Sequence, residues 1–485
     1  MFQHRQNIRV KKQGAVYTPP VLVTQMLALL GYNTPNILRK HILENSCGEG
    51  AFLTQIVSSY CRMFLRSHTS LPELKKQLQT YIHGIEIDAQ AHKRCIHNLD
   101  KTVAQFGVKE VRWDVRCADA LTLDIYDGKM DFVIGNPPYV RIHNLDRAQL
   151  ARFTFTRAGM TDMYLAFFEL GFRQMNSCGK LCYITPSSFF SSKSGEQLRN
   201  YIRQHKHLST VIDLGRASPF ETAMTYTAIT LFDKSRNFRQ IRYKMYQEAE
   251  FVQLSYRDVF QPHAMVFDTP EVLNYLADIN QHYMVYKTPC ICVKNGFATL
   301  ADSVFINPSL AKEKVVIDVL KASTGTWYPC IFPYNRRGKS FTEREIQINF
   351  PQTYTYLTQY RKNLENRAIE HSSQWFLFGR TQGIKDVYKK KIAINTLVKD
   401  VDSIKLTAVP AGKGIYGGLY IVSPFDFDTV YHAIHNENFI RYVQALKKYK
   451  SGGYFTFSSK DLEKYLTYTL MTGATTHEYQ YGFFS

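Results

Sequence analysis

The sequence predicts an α/β chain in which a doubly wound parallel sheet comes first and an α+β domain follows. Three observations predict it. Short apolar runs alternate with amphipathic stretches from about residue 20 to residue 235, which is the pattern of repeated β-α-β units. The chemistry-bearing motifs at 44–50, 86, 119 and 136–139 each fall just after an apolar run, where a parallel sheet presents its ligand-binding strand ends. From about Lys244 the alternation stops and tyrosine becomes frequent. The domain boundaries are therefore set at 1–243 and 244–485.

The first helix is expected over Val21 to Leu30, with Thr18 as its N-cap and Pro19 in its first turn. A short strand comes next in His41-Ile42-Leu43-Glu44, then a glycine-bearing turn, Asn45-Ser46-Cys47-Gly48-Glu49-Gly50, then an amphipathic helix to about Leu65. Gly48 and Gly50 let backbone approach a ligand, and the helix N-terminus adds partial positive charge for a carboxylate. A tight strand–helix turn alone would need the same glycines. The second strand, Tyr81 to Asp88, ends in acids about 35–40 residues after the glycine turn, roughly one β-α-β unit plus an insert. Glu86 is placed to accept bonds from a ribose diol, and Asp88 to cap the next helix.

A third strand near Val111 to Cys117 ends at Asp119, which either caps the next turn or bonds an adenine amine. The fourth strand, Met130 to Gly135, stops at Asn136-Pro137-Pro138-Tyr139. Two prolines lack N–H donors, and Pro137 restricts Asn136 to extended geometry. The result is a rigid tip carrying an amide, carbonyls without ladder partners, and an aromatic ring. The Asn136 oxygen and a backbone carbonyl near Pro137 can each accept one N–H of a planar amine. Tyr139 can stack on the ring that bears it. A proline-rich turn after an edge strand is the plainer alternative. Thr161 to Met175 is expected to be a helix with an aromatic, mostly core-facing side, and further strands are expected at Lys180 to Thr185, Leu208 to Gly215 and Thr225 to Phe232. The loop Ser218 to Thr222 carries Phe220.

Composition narrows the setting. The chain has 485 residues and a net charge of +19, a balance that favours a polyanionic partner, usually nucleic acid. Both halves are basic. No apolar run is long enough to span a bilayer, and the start is polar and basic, so an intracellular, cytoplasmic protein without membrane contact is expected. Nine cysteines are scattered without a C-x-x-C pair. Reduced thiols are expected, with neither a disulfide framework nor a zinc site.

Taken together and in this order, Tyr17-Thr18-Pro19-Pro20, the Glu44–Phe52 loop, the acid-ended strand, Asp119 and Asn136-Pro137-Pro138-Tyr139 resemble the gamma-class DNA adenine methyltransferases of restriction–modification systems, as in the TaqI methyltransferase. The resemblance is strong over residues 13–235 and weak beyond. Asn45 stands where that family usually has proline, which costs some loop rigidity. The resemblance implies a seven-stranded methyltransferase (Rossmann-like) domain followed by a target-recognition domain, with S-adenosyl-L-methionine as cofactor and double-stranded DNA as partner. Thr18, Glu44, Gly48 and Gly50 are then expected to hold the cofactor's methionine part, Glu86 its ribose, Ile87 and Phe167 the faces of its adenine, and Asp119 its adenine amine. Asn136 and Pro137 are expected to hold the amine of a flipped target adenine. Tyr139 and Phe220 would sandwich that base, with Tyr226 a weaker candidate than Phe220. No metal and no covalent cysteine is required, so Cys47 is not a nucleophile.

Only a short stretch precedes Tyr17 and no metal-nuclease constellation follows, so a stand-alone, monomeric modification enzyme paired with a separate restriction endonuclease is expected. Basic or glycine-rich loops beside aromatics, at Val293–Thr299, Phe332–Lys339, Trp375–Arg380, Lys389–Lys391 and Lys450–Phe455, suit contacts to phosphates and base edges. For any one of those cations taken singly, solvated loop charge is the better explanation. The rival readings are an RNA adenine methyltransferase, a protein glutamine methyltransferase built on the same tetrapeptide, and a non-enzymatic DNA-binding protein.

Overall fold

The computed structural model describes residues 18–140, 152–157, 161–215, 226–261, 264–286, 290–306, 313–367 and 374–471. The chain divides into two compact units, Met1–Leu273 and Asn274–Ser485.

The first unit is built on a sheet whose strands are β1 (Ile42–Glu44), β2 (Ile82–Glu86), β3 (Asp114–Cys117), β4 (Met130–Gly135), β5 (Met175–Pro186), β6 (Leu208–Asp213), β7 (Thr227–Asp233), β8 (Gln240–Met245) and β9 (Val252–Ser255). Their order is β3-β2-β1-β4-β5-β7-β6-β8-β9. The predicted Rossmann-like architecture holds, with two departures. β7 runs antiparallel to both β5 and β6, because it inserts between them without a helical crossover, so the sheet is not parallel throughout. The sheet also runs past the boundary expected at 243/244. β8 pairs parallel with β6, and β9 pairs antiparallel with β8, so the compact unit closes only at Leu273.

Local sequence explains the helices that cover this sheet. In α1 (Pro20–Leu30), Leu22, Val23, Met26, Leu27 and Leu30 are buried, a spacing that makes one apolar stripe. Gly31 ends it in the left-handed conformation at φ 82°. The N-cap is Pro19, with no side-chain cap, so Thr18 does not serve as the cap that was expected. In α2 (Ala51–Leu65), Phe52, Leu53, Ile56, Val57, Tyr60 and Phe64 are buried in the same core cluster as the α1 stripe. α3 (Leu71–Tyr81) starts at Ser70, whose hydroxyl accepts the Glu73 N–H. α4 (Ala89–Ala104) starts at Asp88, whose carboxylate accepts the N–H groups of Gln90 and Ala91. α5 (Met163–Gln174) is the aromatic helix, and Tyr164, Phe167, Phe168 and Phe172 are all buried.

The second unit is α+β. A four-stranded sheet has the order Cys292–Asn295, Leu419–Val422, Lys391–Ile394, Leu406–Val409, and a three-stranded sheet pairs Thr326–Ile331, Val316–Lys321 and Gly414–Tyr416. Trp375, Phe376, Leu377 and Phe378 are buried in its core with Phe297, Phe305 and Phe332, so the aromatics of the Trp375–Arg380 segment do not face a ligand as the sequence suggested. Lys391 is also buried. Its three ammonium N–H groups are shared among four carbonyl oxygens, those of Asp386, Val387, Lys389 and Lys413. Lys391→Met removes the donor and leaves those acceptors in a dry site, so it is expected to lower unfolding free energy by about 3 kcal/mol in urea titration.

Among the described residues no helix is long and apolar enough to cross a membrane.

Candidate active site

β1 and β4 are neighbours with Glu44 opposite Ile134. Parallel pairing therefore delivers Asn45–Gly50 and Asn136–Tyr139 side by side at the carboxyl edge of the sheet. The Ser46 hydroxyl donates to the Asn136 carbonyl at 3.4 Å. The Asn136 side-chain Nδ2 donates to Thr18 Oγ1 at 3.1 Å, which draws the segment ahead of α1 onto the same tip. With Nδ2 turned to Thr18, Oδ1 is the acceptor end of the amide and points away from Thr18. Pro137 is buried and anchors the turn, while Asn136, Pro138 and Tyr139 remain half-buried. The Tyr139 hydroxyl donates to the Ile184 carbonyl of β5 at 3.1 Å. Its ring meets Tyr164 edge-on at 6.5 Å. Two contacts at opposite ends hold the Tyr139 ring plane.

Glu86 ties the next strand to the glycine turn. Its Oε2 accepts the Gly48 N–H and its Oε1 accepts the Asp88 N–H, each at 2.8 Å. Both carboxylate oxygens keep a second lone pair for other donors. Gly48 sits at φ +53° with nothing within 4 Å of where a Cβ would stand, so the turn is open on its outer side. Gly50 is different. It is the N-cap of α2 at φ +89°, and a Cβ there would lie 2.9 Å from Cys95 Sγ. Gly50→Ala is expected to lower thermal stability by about 2 kcal/mol, through left-handed strain and the clash together, and to move the glycine turn. Differential scanning fluorimetry beside Gly48→Ala, which meets open space, separates the two contributions.

Glu44 is 2 % exposed. The backbone N–H of Leu53, in the first turn of α2, bonds its carboxylate, yet burial pushes its pKa well above the ordinary carboxylate value, with Cys95 and Glu86 acting in the same direction. Its Oε2 has no hydrogen-bond partner among the described residues. A buried acid with one orphaned oxygen beside a glycine turn fits a cationic ligand group. The Cys47 thiol is raised too, by its contact with the Cys95 thiol and by burial, so it is a poor nucleophile.

Asp119 caps the short turn Ala120–Thr122 with Oδ1 accepting the Leu121 N–H at 3.0 Å. Its other oxygen has no bond to a described residue and the side chain is half-buried, so the capping role and a ligand role coexist. α5 packs against this turn. Ile87 is 68 % exposed, whereas Phe167 is buried. Phe220 lies outside the described residues. Tyr226 is described, and its carbonyl accepts the Ser187 N–H.

Sequence reasoning missed a polar network behind the tip. Asn45, at the family's proline position, is 1 % exposed. Its Nδ2 donates to the Tyr183 hydroxyl at 2.6 Å and to Gln174 Oε1 at 3.0 Å. Tyr183 lies opposite Gly135 across β4 and β5. Side-chain hydrogen bonds to two neighbouring elements thus restrain the turn where proline would otherwise do so. The signal for it was the departure itself.

In the second unit, Phe332–Lys339 forms a tight hairpin tip. Asn335 Oδ1 accepts the N–H groups of Arg337 and Lys339, and the Asn335 N–H donates to the Lys339 carbonyl. Arg336, Arg337 and Lys339 are exposed on it, and Lys385 packs against Gly338. Of the Lys389–Lys391 run, Lys389 pairs with Asp386 at 2.9 Å and Lys391 is buried, while Lys390 is exposed with no ion pair to a described residue. Among the described residues no group of three or more His, Cys, Asp or Glu side chains is arranged to hold a metal.

The Eco57I restriction-modification methylase family matches residues 51–220. The chain is 28% identical over 423 residues to the type II methyltransferase M.BstVI of Geobacillus stearothermophilus, covering 76% of this chain and 74% of that protein. It is 25% identical over 452 residues to the type II methyltransferase M.BanIII of Aneurinibacillus aneurinilyticus, covering 76% and 74%. Among solved structures, the type IIL restriction-modification enzyme MmeI in complex with DNA superposes with a TM-score of 0.58 at 12% identity, over 91% of this chain and 65% of that one. At that identity the likeness is one of fold, and this chain spans a little under two thirds of that enzyme. The chain is thus similar to methyltransferases of restriction–modification systems in sequence and in fold.

Proposed function

We propose that this chain is a site-specific DNA methyltransferase that moves a methyl group from S-adenosyl-L-methionine to the exocyclic amine of a flipped adenine in duplex DNA. One observation carries the reading: the Asn136-Pro137-Pro138-Tyr139 tip is bonded directly to the turn that begins at Glu44, through Ser46, and to the segment ahead of α1, through Thr18. An amine-gripping tip thereby stands beside a cradle for a charged ligand. The chain's similarity to type II methyltransferases supports the same reading.

The residues present fit the cofactor. Glu44 Oε2 is buried and orphaned, which suits the cofactor's α-ammonium. Gly48 opens the turn to close approach, the two oxygens of Glu86 suit the vicinal ribose hydroxyls, and Asp119 has an oxygen for the adenine amine. Ile87 and Phe167 are assigned to the faces of that adenine. When bound, the cofactor supplies a methyl group on a positively charged sulfur, already a strong electrophile. What remains for the chain is alignment and amine polarisation.

Those tasks fall to the tip. A duplex hides its adenine amine, so the base has to leave the stack, at a cost of a few kcal/mol. Tyr139, with its ring plane held at both ends, offers one face against which the flipped base stacks, and Phe220 is assigned to the other. Asn136 Oδ1 and the Pro137 carbonyl accept the two amine protons. That turns the nitrogen lone pair out of the ring's π system and towards the methyl group. The exposed cations Arg336, Arg337, Lys339 and Lys390 are assigned to backbone phosphates. The second unit is assigned to target recognition, and the pairing with a separate endonuclease belongs to the same reading.

The test is transfer of label from methyl-labelled S-adenosylmethionine to duplex DNA, RNA or protein. Label on N6 of adenine in DNA is the expected result. Label on RNA alone, on a glutamine side chain, or on nothing assigns the chain to a rival.

A further inference from the structure

We propose that the opposite, amino-terminal edge of the sheet holds a second ligand site, which takes a small oxyanion together with one proton. The edge carries an open-sided cavity of about 540 Å³ whose lining includes the carboxylate of Asp114 as well as His41, His83, Arg116, Tyr126 and Lys129. That is within the size range of small-ligand sites. Because β1 to β4 run parallel, His41, His83, Asp114 and Met130 lie at or near the strand starts, away from the Asn136 tip, while Arg116, third in β3, pairs back to Asp114.

The cavity wall is a hydrogen-bonded chain of three titratable groups. His83 Nδ1 lies 2.7 Å from Asp114 Oδ2, and His83 Nε2 lies 2.9 Å from His41 Nδ1. An ionised carboxylate only accepts, so His83 carries its proton on Nδ1. In the neutral imidazole Nε2 is then a lone pair, to which His41 donates from Nδ1. This leaves His41 Nε2 as the open end of the chain, with no bond to any described residue. The charge of Asp114 is already covered. It accepts from the Tyr126 hydroxyl at 3.1 Å and pairs with Arg116 Nε at 2.7 Å. Arg116 also bonds the Tyr126 hydroxyl, and its side chain is 57% exposed, so the guanidinium N–H groups left over from Asp114 and Tyr126 face solvent. Lys129 uses its ammonium on the Ile125 carbonyl at 2.7 Å and keeps two further N–H groups.

The proton follows from the tautomers. A neutral His41 Nε2 turns a lone pair towards an incoming oxyanion. Once protonated it becomes a donor, and Asp114 offsets the new charge through His83. The groups facing His41 are His83 on β2, Asp131 on β4, whose carboxylate accepts the backbone N–H of His41, the Tyr81 ring at the end of α3, and Lys40 beside Asp131. In the free protein, burial and then His83 lower the His41 pKa. An anion reverses that balance, so binding takes up a proton and weakens as pH rises.

Sulfate is the probe, because its charge is constant across this range. In nitrogen-15 spectra of the histidine rings, both histidines of the free protein should be Nδ1–H tautomers at neutral pH. Sulfate should shift the His41 ring signals saturably, with affinity falling roughly tenfold or more from about pH 6 to pH 8. Arg116→Ala, an exposed position, should abolish the saturable shift while leaving methyl transfer unchanged. Asp114→Asn should remove the pH dependence. Competition by inorganic phosphate but not by a short duplex identifies a free anion as the natural source, and competition by the duplex identifies a nucleic-acid backbone. Saturation with equal affinity at both pH values, no saturable shift at His41, or an unaltered response in Arg116→Ala overturns the proposal.

Discussion

Asn136→Ala is expected to lower the turnover number for methyl transfer by at least about 10³-fold while the dissociation constant for S-adenosylmethionine stays within about threefold. The asymmetry is the informative part. The Asn136 amide has two ends with different duties. Nδ2 is spent on Thr18 Oγ1, and Oδ1 is the acceptor assigned to the target amine. Truncation removes the acceptor, and with it the alignment that costs nothing at the moment of reaction. The cradle is untouched, because Glu86 grips Gly48 and Asp88 without help from the tip. Asn136→Asp sharpens the test. The carboxylate it introduces needs no donor of its own, since the Thr18 hydroxyl can itself donate to it. The acceptor survives, so activity should recover in part. Single-turnover assays give the rate, and calorimetry gives the cofactor affinity. Activity of Asn136→Ala within tenfold of the unaltered protein would remove Asn136 from the chemistry.

What the sequence made legible was local. The Asn136-Pro137-Pro138-Tyr139 tip needs only proline's missing donors and fixed φ to end a strand, and β4 does end at Gly135. Asp88 was readable as a cap because capping depends on the next three residues. What stayed hidden depends on partners distant in the chain. Thr18 looks like an N-cap from its neighbours, yet its hydroxyl accepts from Asn136, far along the chain. The antiparallel course of β7 is set by which strands flank it, and β5 begins at Met175, with a register shift opposite Met130/Phe132. The sheet's extension through β8 and β9 shifted the domain division for the same reason: pairing leaves little trace in composition. Asn45 and the His41–His83–Asp114 chain show the limit most plainly. Each is a polar residue next to apolar ones, and only the fold supplies the groups that satisfy it.

Glu44→Gln is expected to move stability and binding in opposite directions. In the free protein Glu44 is buried with an orphaned oxygen and a raised pKa. The folded state therefore holds its proton more tightly than the unfolded chain does. Stability contributed by this group is fully present below the unfolded carboxylate value and is lost as pH rises through the raised folded value. At neutral pH the ionised form is a burden on the fold. Glutamine has the same shape without the charge, still accepts the Leu53 N–H, and should raise the melting temperature of the free protein at pH 7–8 by a few degrees, corresponding to about 1 kcal/mol. S-adenosylmethionine inverts the sign. Its α-ammonium needs the ionised carboxylate, so binding expels the proton from Glu44 and strengthens as pH rises towards the raised pKa. Replacing the carboxylate should weaken binding by about 10- to 100-fold, since a charge-assisted bond in a dry site is lost. It should also flatten the pH dependence of that affinity. Melting curves with and without cofactor across about pH 5.5–8.5 read both effects at once: the variant should be the more stable protein alone and the less stable one in saturating cofactor. A variant that melts lower alone and binds normally would place Glu44 in the scaffold, capping α2 through Leu53, and would take the cofactor's ammonium elsewhere.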